Sequence, residues 1–116
     1  MNIKQFDLWV ANLHPGKGNI PGKVRPVVIL QTNLLNNAGH PTTVICPLTS
    51  DMTKESKILR ITISANALNG LEKDSAILAD QIRTIENLKL LNCIGNLEEK
   101  YRSQLKKSIL SILDLS

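Results

Sequence analysis

Short apolar runs rich in β-branched residues recur along the first three quarters of the chain, and they constrain the fold more than any other feature. Two of them are continuous and typical of buried strands, and those at 6–13 and 58–63 alternate with polar residues as half-buried strands do. The runs cover residues 6–13, 27–31, 42–47, 58–63 and 76–82. The sequence therefore predicts five or six strands, the last of them ended by Arg83 and Thr84.

The C-terminal segment has a different, helical period. Apolar residues recur at steps of three or four, namely Leu97, Tyr101, Leu105, Ile109 and Ile112. Asn96 is a candidate N-cap, and Glu99 stands where a capping box needs it. A single helical turn is also expected at residues 34–37. Short strands closed by one amphipathic helix predict a mainly β (α+β) fold, a small antiparallel barrel.

The chain's size and charge narrow the classes of function. Its 116 residues fit one domain, predicted to span 1–116. The net charge of +4 suits a polyanionic partner. No acidic residue lies between Asp7 and Asp51, a stretch that holds Lys17, Lys23 and Arg25. Such a stretch favours the approach of phosphate groups, although chance in an apolar, strand-rich half is an alternative explanation.

Cysteine usage and hydropathy bear on cofactors and location. Cys46 and Cys93 lie in apolar surroundings without metal-ligand spacing, so neither a metal nor another cofactor is expected. Two buried free thiols are typical of a reducing compartment, although a disulfide between them stays an alternative. No apolar run approaches the roughly 18 residues of a membrane helix, and no signal segment begins the chain. A cytoplasmic protein without a membrane partner is predicted.

Two strand ends carry candidate functional residues. Arg25 lies where a loop rich in glycine and proline (residues 14–23) enters a buried strand. Thr49 and Ser50 place two hydroxyl groups at the end of another. For Arg25 the alternative is an ordinary surface arginine. For Thr49 and Ser50 the alternative is hydrogen bonding of the hydroxyl groups within a local turn.

A third strand end is unusually polar. Asp80, Gln81, Arg83 and Thr84 bring four hydrogen-bonding side chains to the end of an apolar run. An internal salt bridge or a strand-end cap would explain them equally well.

Five motifs together resemble one known family, the MazF/PemK toxins, in order and spacing over nearly the whole chain. The motifs are Asp7-Leu8-Trp9-Val10, Leu13-x-Pro15-x-x-Gly18, Lys23-x-Arg25-Pro26, Cys46-Pro47-Leu48-Thr49-Ser50 and Leu78-Ala79-Asp80-Gln81-Ile82-Arg83-Thr84-Ile85. The resemblance implies a twisted antiparallel sheet, an SH3-like barrel of the MazF/PemK/CcdB type, with a C-terminal helix.

The resemblance also implies a function: the toxin of a type II toxin–antitoxin system. Such a toxin is a metal-independent endoribonuclease that cuts single-stranded RNA at specific sequences and so inhibits translation and growth. The ribose 2′-hydroxyl attacks the neighbouring phosphorus, leaving a 2′,3′-cyclic phosphate (or 3′-phosphate) and a 5′-hydroxyl. The implied partners are a second copy of the chain, with RNA in a basic groove at the dimer interface, and an antitoxin whose acidic tail fills that groove.

Site residues follow from the motifs position by position. The predicted catalytic residues are Arg25, Thr49 and Asp80. Arg25 matches the family's catalytic arginine, Thr49 matches its phosphate-binding hydroxyl, and Asp80 matches an acidic position near the 2′-hydroxyl. The general base stays unassigned. The predicted RNA-binding residues are Lys17, Asn19, Lys23, Ser50, Gln81 and Arg83. The loops at 17–23 and 51–57 are the predicted base readers.

The sequence departs from the family in two places, and two other functions are alternatives. Many members have Gly-Ser-Glu at Gly18-Asn19-Ile20, some a histidine at Asn19, and some an arginine at Leu78. A non-catalytic module of the same fold, either a gyrase-binding toxin or an idle regulator, would need neither Arg25 nor Thr49. The presence of both favours the nuclease.

Overall fold

Seven β-strands and two α-helices form within residues 1–14, 23–51 and 60–115, the part of the chain that the computed structural model describes. The strands are β1 (Asp7–Asn12), β2 (Val24–Ile29), β3 (Thr42–Thr49), β4 (Arg60–Ile63), β5 (Ser75–Leu78), β6 (Arg83–Glu86) and β7 (Leu90–Asn96). The helices are α1 (Asn33–Asn37) and α2 (Glu99–Leu113), and a 3-10 turn, Asn87–Lys89, joins β6 to β7.

The strands form one antiparallel sheet in the order β4-β5-β3-β2-β1-β7. The central strand, β3, changes neighbours along its length. Its first half pairs with β6, Ile45 opposite Arg83, and its last residues pair with β5, Thr49 opposite Ala76. The prediction of a mainly β fold with a C-terminal helix is confirmed.

Alternate side chains of the strands enter two apolar clusters. Leu8 and Val28 belong to the first cluster, whereas their chain neighbours Trp9 and Val27 belong to the second. Successive residues of a strand point to opposite faces, so a strand with apolar surroundings on both sides must be apolar throughout. This explains the unbroken apolar run at residues 27–29.

Helix α2 covers the first cluster, as its apolar period predicts. Leu105 and Tyr101 are buried, and Ile109 and Ile112 pack against the same cluster from its edge. The Tyr101 hydroxyl accepts a hydrogen bond from the Ser64 N–H (3.4 Å), which ties the helix to the end of β4.

The predicted capping box of this helix is wrong. Glu98, not Asn96, is the N-cap, and no side chain caps it. Asn96 is the last residue of β7, and its N–H donates to the Leu68 carbonyl (3.1 Å). The next residue, Leu97, donates to the Phe6 carbonyl (2.8 Å). Because these sheet-side hydrogen bonds hold both residues, the helix begins later.

The prediction of one strand over residues 76–82, ended at Arg83 and Thr84, is also wrong. β5 ends at Leu78, and the Gln81 N–H donates to the Leu78 carbonyl (2.9 Å) in a turn. Arg83 and Thr84 then begin β6 instead of ending a strand. The interruption lies where β3 exchanges its partner, a property of the sheet and not of the local sequence.

Strand β7 went unpredicted because two asparagines and a glycine depress its strand propensity. Pairing with β1, across two register shifts, holds it in the sheet. It exposes Cys93, so the expectation of two buried thiols is correct only for Cys46. Both cysteines are free.

Three further expectations concern a helical turn, a strand and membrane-spanning helices. The helical turn at 34–37 is confirmed as α1, where the Thr32 Oγ1 accepts a hydrogen bond from the Leu34 N–H (3.2 Å). The strand expected at 58–63 is described from Arg60 onward. Among the described residues, no helix is long and apolar enough to cross a membrane.

Candidate active site

A groove of about 430 Å³ opens where β3 ends beside the start of β2. Val10 of β1 and Ile94 of β7 also line it. A further wall comes from the segment that leads into β5, residues 70–75. Four sequence-predicted site residues line this groove together: Lys23, Arg25, Thr49 and Ser50.

Arg25 is the second residue of β2, pairs with Ala11 of β1 and is half-buried. Its Nη1 donates to the Leu48 carbonyl at 3.3 Å. This contact brings the guanidinium to the residue next to Thr49, although no sequence pattern links the two positions. Burial lowers the pKa of the Arg25 guanidinium.

Thr49, the last residue of β3, is half-buried at the groove. Its Oγ1 accepts a hydrogen bond from the Asp51 N–H (3.1 Å), a local turn contact. The local turn hydrogen bond considered as an alternative is therefore present, but the Thr49 Oγ1 takes part in it only as an acceptor. The hydroxyl proton is left to donate to a ligand in the groove.

Lys23 and Ser50 stand at the exposed rim of the groove. Lys23 has a positive φ of 59°, a conformation that side chains other than glycine seldom adopt. The Lys23 carbonyl accepts a hydrogen bond from the Leu13 N–H (2.9 Å), which holds the chain as it enters β2.

The groove is lined by side chains of both charges and is not a purely basic surface. Lys23, Arg25 and Lys73 line it, and so do the carboxylates of Asp51 and Glu72. Glu72 and Lys73 were not among the sequence candidates. Their only sequence signal is the charged run Glu72-Lys73-Asp74, which by itself describes any solvated turn.

Asp80, Gln81 and Arg83 are not among the residues that line the groove. They flank the middle of β3, where Arg83 pairs with Ile45 and the Asp80 charge acts on Cys46. Ile45 is four residues from Thr49, about 13 Å along the strand. The structure thus separates these three residues from the predicted site residues that line the groove. Lys17 and Asn19 lie outside the described residues.

In the ranges that the structure describes, no three His, Cys, Asp or Glu side chains lie close enough to bind a metal ion together.

The chain is similar to proteins of one known family over nearly its whole length. Residues 4–113 match the family described as PemK-like, MazF-like toxin of type II toxin–antitoxin system. The chain belongs to this toxin family. The endoribonuclease EndoA of Bacillus subtilis (strain 168) is 32% identical over 109 residues, which are 94% of this chain and 92% of that protein.

Two solved structures of other proteins share the fold of this chain. MazF from Deinococcus radiodurans superposes with a TM-score of 0.83 at 18% identity, covering 99% of both chains. A mycobacterial endoribonuclease in complex with its cognate antitoxin gives a TM-score of 0.76 at 17% identity, covering 98% of this chain and 97% of that one. The family resemblance inferred from the five motifs is confirmed.

Proposed function

We propose that this toxin is a metal-independent endoribonuclease that cuts single-stranded RNA at specific sequences in the cytoplasm. The observation that carries the proposal is the meeting of Arg25 and Thr49 at one groove, joined through the Leu48 carbonyl. A binding module without chemistry requires neither side chain there. The EndoA relative, an endoribonuclease by name, supports the same activity.

The two residues suit the transfer that the resemblance implies. The ribose 2′-hydroxyl loses its proton and attacks phosphorus, the bond from phosphorus to the 5′-oxygen breaks, and that oxygen takes up a proton. The planar Arg25 guanidinium pairs with the two phosphate oxygens that carry the developing charge. The Thr49 hydroxyl donates to one of them from a fixed position.

The remaining predicted residues extend this site along the RNA. Lys23 and Ser50 at the rim contact the nucleotides next to the cut. Lys17 and Asn19, which lie outside the described residues, bind RNA as well. Gln81 and Arg83 contact RNA that continues past the groove toward the middle of β3. Asp80 stays the proposed acidic residue near the attacking 2′-hydroxyl. The loops at 17–23 and 51–57 read the bases, and exchanging them with a relative's loops should change the cleaved sequence.

The biological setting follows from the family. The toxin acts as a single domain, residues 1–116, and assembles as a homodimer. Its partner is an antitoxin that blocks the groove, as the family's description and the mycobacterial toxin–antitoxin complex support.

The test is digestion of a long single-stranded RNA in the presence of EDTA, with the ends of the products mapped. Wild type should cut at a short motif and leave 5′-hydroxyl ends. Arg25→Ala and Thr49→Ala should each lose roughly 10² to 10³ in rate. Lys107→Ala, on the exposed side of α2, is the matched control and should cut normally.

If wild type cuts none of several unrelated RNAs, the nuclease is rejected and a non-catalytic toxin or regulator replaces it. Equal rates for wild type and Arg25→Ala would reject the role of Arg25.

A further inference from the structure

Two charged side chains of the groove have no partner within the described residues. Glu72 and Lys73 line the groove and are exposed, and neither side chain makes a hydrogen bond or ion pair with the described residues. They come from the segment at 70–75, which is separate in sequence from the strands that supply Arg25 and Thr49.

The backbone on the N-terminal side of Glu72 is fixed. Gly70 has a positive φ of 68° and lies so close to the Ile94 carbonyl of β7 that a Cβ would overlap it. Leu71 is buried, and its N–H donates to Oδ1 of the fully buried Asn69 (3.0 Å). The Asn69 amide in turn donates to the Ser64 carbonyl (2.9 Å).

The backbone on the C-terminal side of Lys73 is fixed as well. The Asp74 Oδ1 accepts a hydrogen bond from the Ala65 N–H (2.8 Å). The Ser75 hydroxyl donates to the carbonyl of Lys73 itself (2.9 Å). Glu72 and Lys73 therefore extend from a preformed turn, so a ligand would not have to order the backbone when it binds.

The chemistry of the two side chains differs. An ammonium group suits a phosphate oxygen. A carboxylate in a groove that takes a polyanion is repelled by phosphate, so its favourable contacts with RNA are with hydrogen-bond donors such as those on base edges. Carboxylate oxygens accept hydrogen bonds from base amino groups. Uracil has no amino group, and its two carbonyl oxygens flank its one N–H and repel a carboxylate.

We propose that Glu72 and Lys73 form a second RNA-recognition point, which rests on the proposed nuclease function. Lys73 binds a phosphate next to the cleaved one. Glu72 accepts hydrogen bonds from the amino group of a neighbouring base and so excludes uracil at one position of the cleavage sequence.

Base preference tests Glu72. An RNA pool randomised around the cleavage motif is digested, and cut and uncut molecules are sequenced. Wild type should discriminate against uracil at one position by roughly tenfold or more. Glu72→Gln should lose that discrimination while still cutting, because an amide also donates to the uracil carbonyls. Glu86→Gln, an exposed carboxylate on β6, should keep it. A preference unchanged in Glu72→Gln overturns the assignment.

Salt dependence tests Lys73. The affinity for a non-cleavable RNA, with 2′-deoxyribose at the cut nucleotide, is measured at several salt concentrations. Lys73→Ala should make the slope of log affinity against log salt shallower by about 0.7, the value for one single-strand phosphate contact. Lys107→Ala should not change it. A slope in Lys73→Ala equal to that of wild type overturns the phosphate contact.

The two proposals fail in different ways. If wild type binds the non-cleavable RNA but cuts no RNA, the nuclease function is rejected. The salt dependence of binding by Lys73→Ala, and competition between RNAs that differ in one base, then still test the recognition point. If wild type cuts normally and both variants match their controls, only the recognition point is rejected.

Discussion

At the scale of single residues, the candidate site depends on one hydrogen bond between neighbouring strands. The Arg25 guanidinium donates to the Leu48 carbonyl, and Thr49 follows directly. Arg25 and Thr49 are far apart in sequence, and only the pairing of β2 with β3 brings their strands side by side. A guanidinium held by a backbone carbonyl reaches phosphate with little loss of side-chain freedom.

The two cysteines should differ sharply in reactivity. Burial, with a smaller effect of the Asp80 charge, raises the pKa of the Cys46 thiol to about 12. The pKa of Cys93 is also raised, chiefly by partial burial, but its side chain is exposed. The thiolate is the reactive form, so at pH 8 iodoacetamide should modify Cys93 alone in the folded protein and both thiols in urea.

Mass spectrometry of the alkylated protein measures this difference. The Cys93 rate should keep rising with pH beyond the ordinary thiol range, since a raised pKa delays thiolate formation. Cys93→Ser should leave the folded protein unmodified. Alkylation of Cys46 at a rate similar to that of Cys93 would contradict the burial of Cys46.

At the scale of elements, β3 organises both groups of predicted site residues. Its end contributes Thr49 to the groove, and its middle pairs with the strand that carries Arg83. Pro47 lies between the stretches paired with β6 and β5, where the ladder on that side of β3 is interrupted. A residue without an N–H is tolerated at such an interruption.

The close contact of the 70–75 segment with β7 gives an element-scale prediction. Gly70→Ala should destabilise the fold by about 3 kcal/mol or more, because a Cβ would overlap the Ile94 carbonyl and φ is positive. Gly39→Ala is the matched control: φ is also positive (75°), but nothing lies within 4 Å of the added atom.

The control should lose only about 1–2 kcal/mol, the cost of the left-handed conformation. Urea unfolding followed by circular dichroism gives both values. Equal losses in the two variants would mean that the approach to Ile94 does not constrain the segment.

At the scale of the whole molecule, helix α2 completes the first apolar cluster. Leu105 is fully buried there, whereas Leu110 on the same helix is 46% exposed. Leu105→Ala should lower the free energy of unfolding by about 2–5 kcal/mol, because it leaves a cavity under the helix. Leu110→Ala should change it by less than about 1 kcal/mol.

Denaturant midpoints of the two variants, compared at equal m-value, check this difference. A small loss in Leu105→Ala would indicate that the helix contributes little to the core. Because the groove is built from strands and the 70–75 segment, Leu105→Ala should cut RNA normally at temperatures where it stays folded.

The fold class and the family could both be predicted from the amino-acid sequence. The strand runs of β1 to β5 and the helix at 99–113 are local patterns of apolar residues, and such patterns decide which faces must be buried. Arg25, Thr49 and Ser50 could be selected because each stands at the end of a strand that the pattern already marked. The five motifs then identified the family.

Which residues become neighbours could not be predicted from local sequence patterns. The break between β5 and β6, the strand β7 and the late start of α2 all depend on pairing partners distant in sequence. The same holds for the separation of Asp80, Gln81 and Arg83 from the groove, and for the arrival of Glu72 and Lys73 at it. The physical reason is that local patterns fix which side chains are buried, whereas strand register and close backbone approach fix which of them become neighbours.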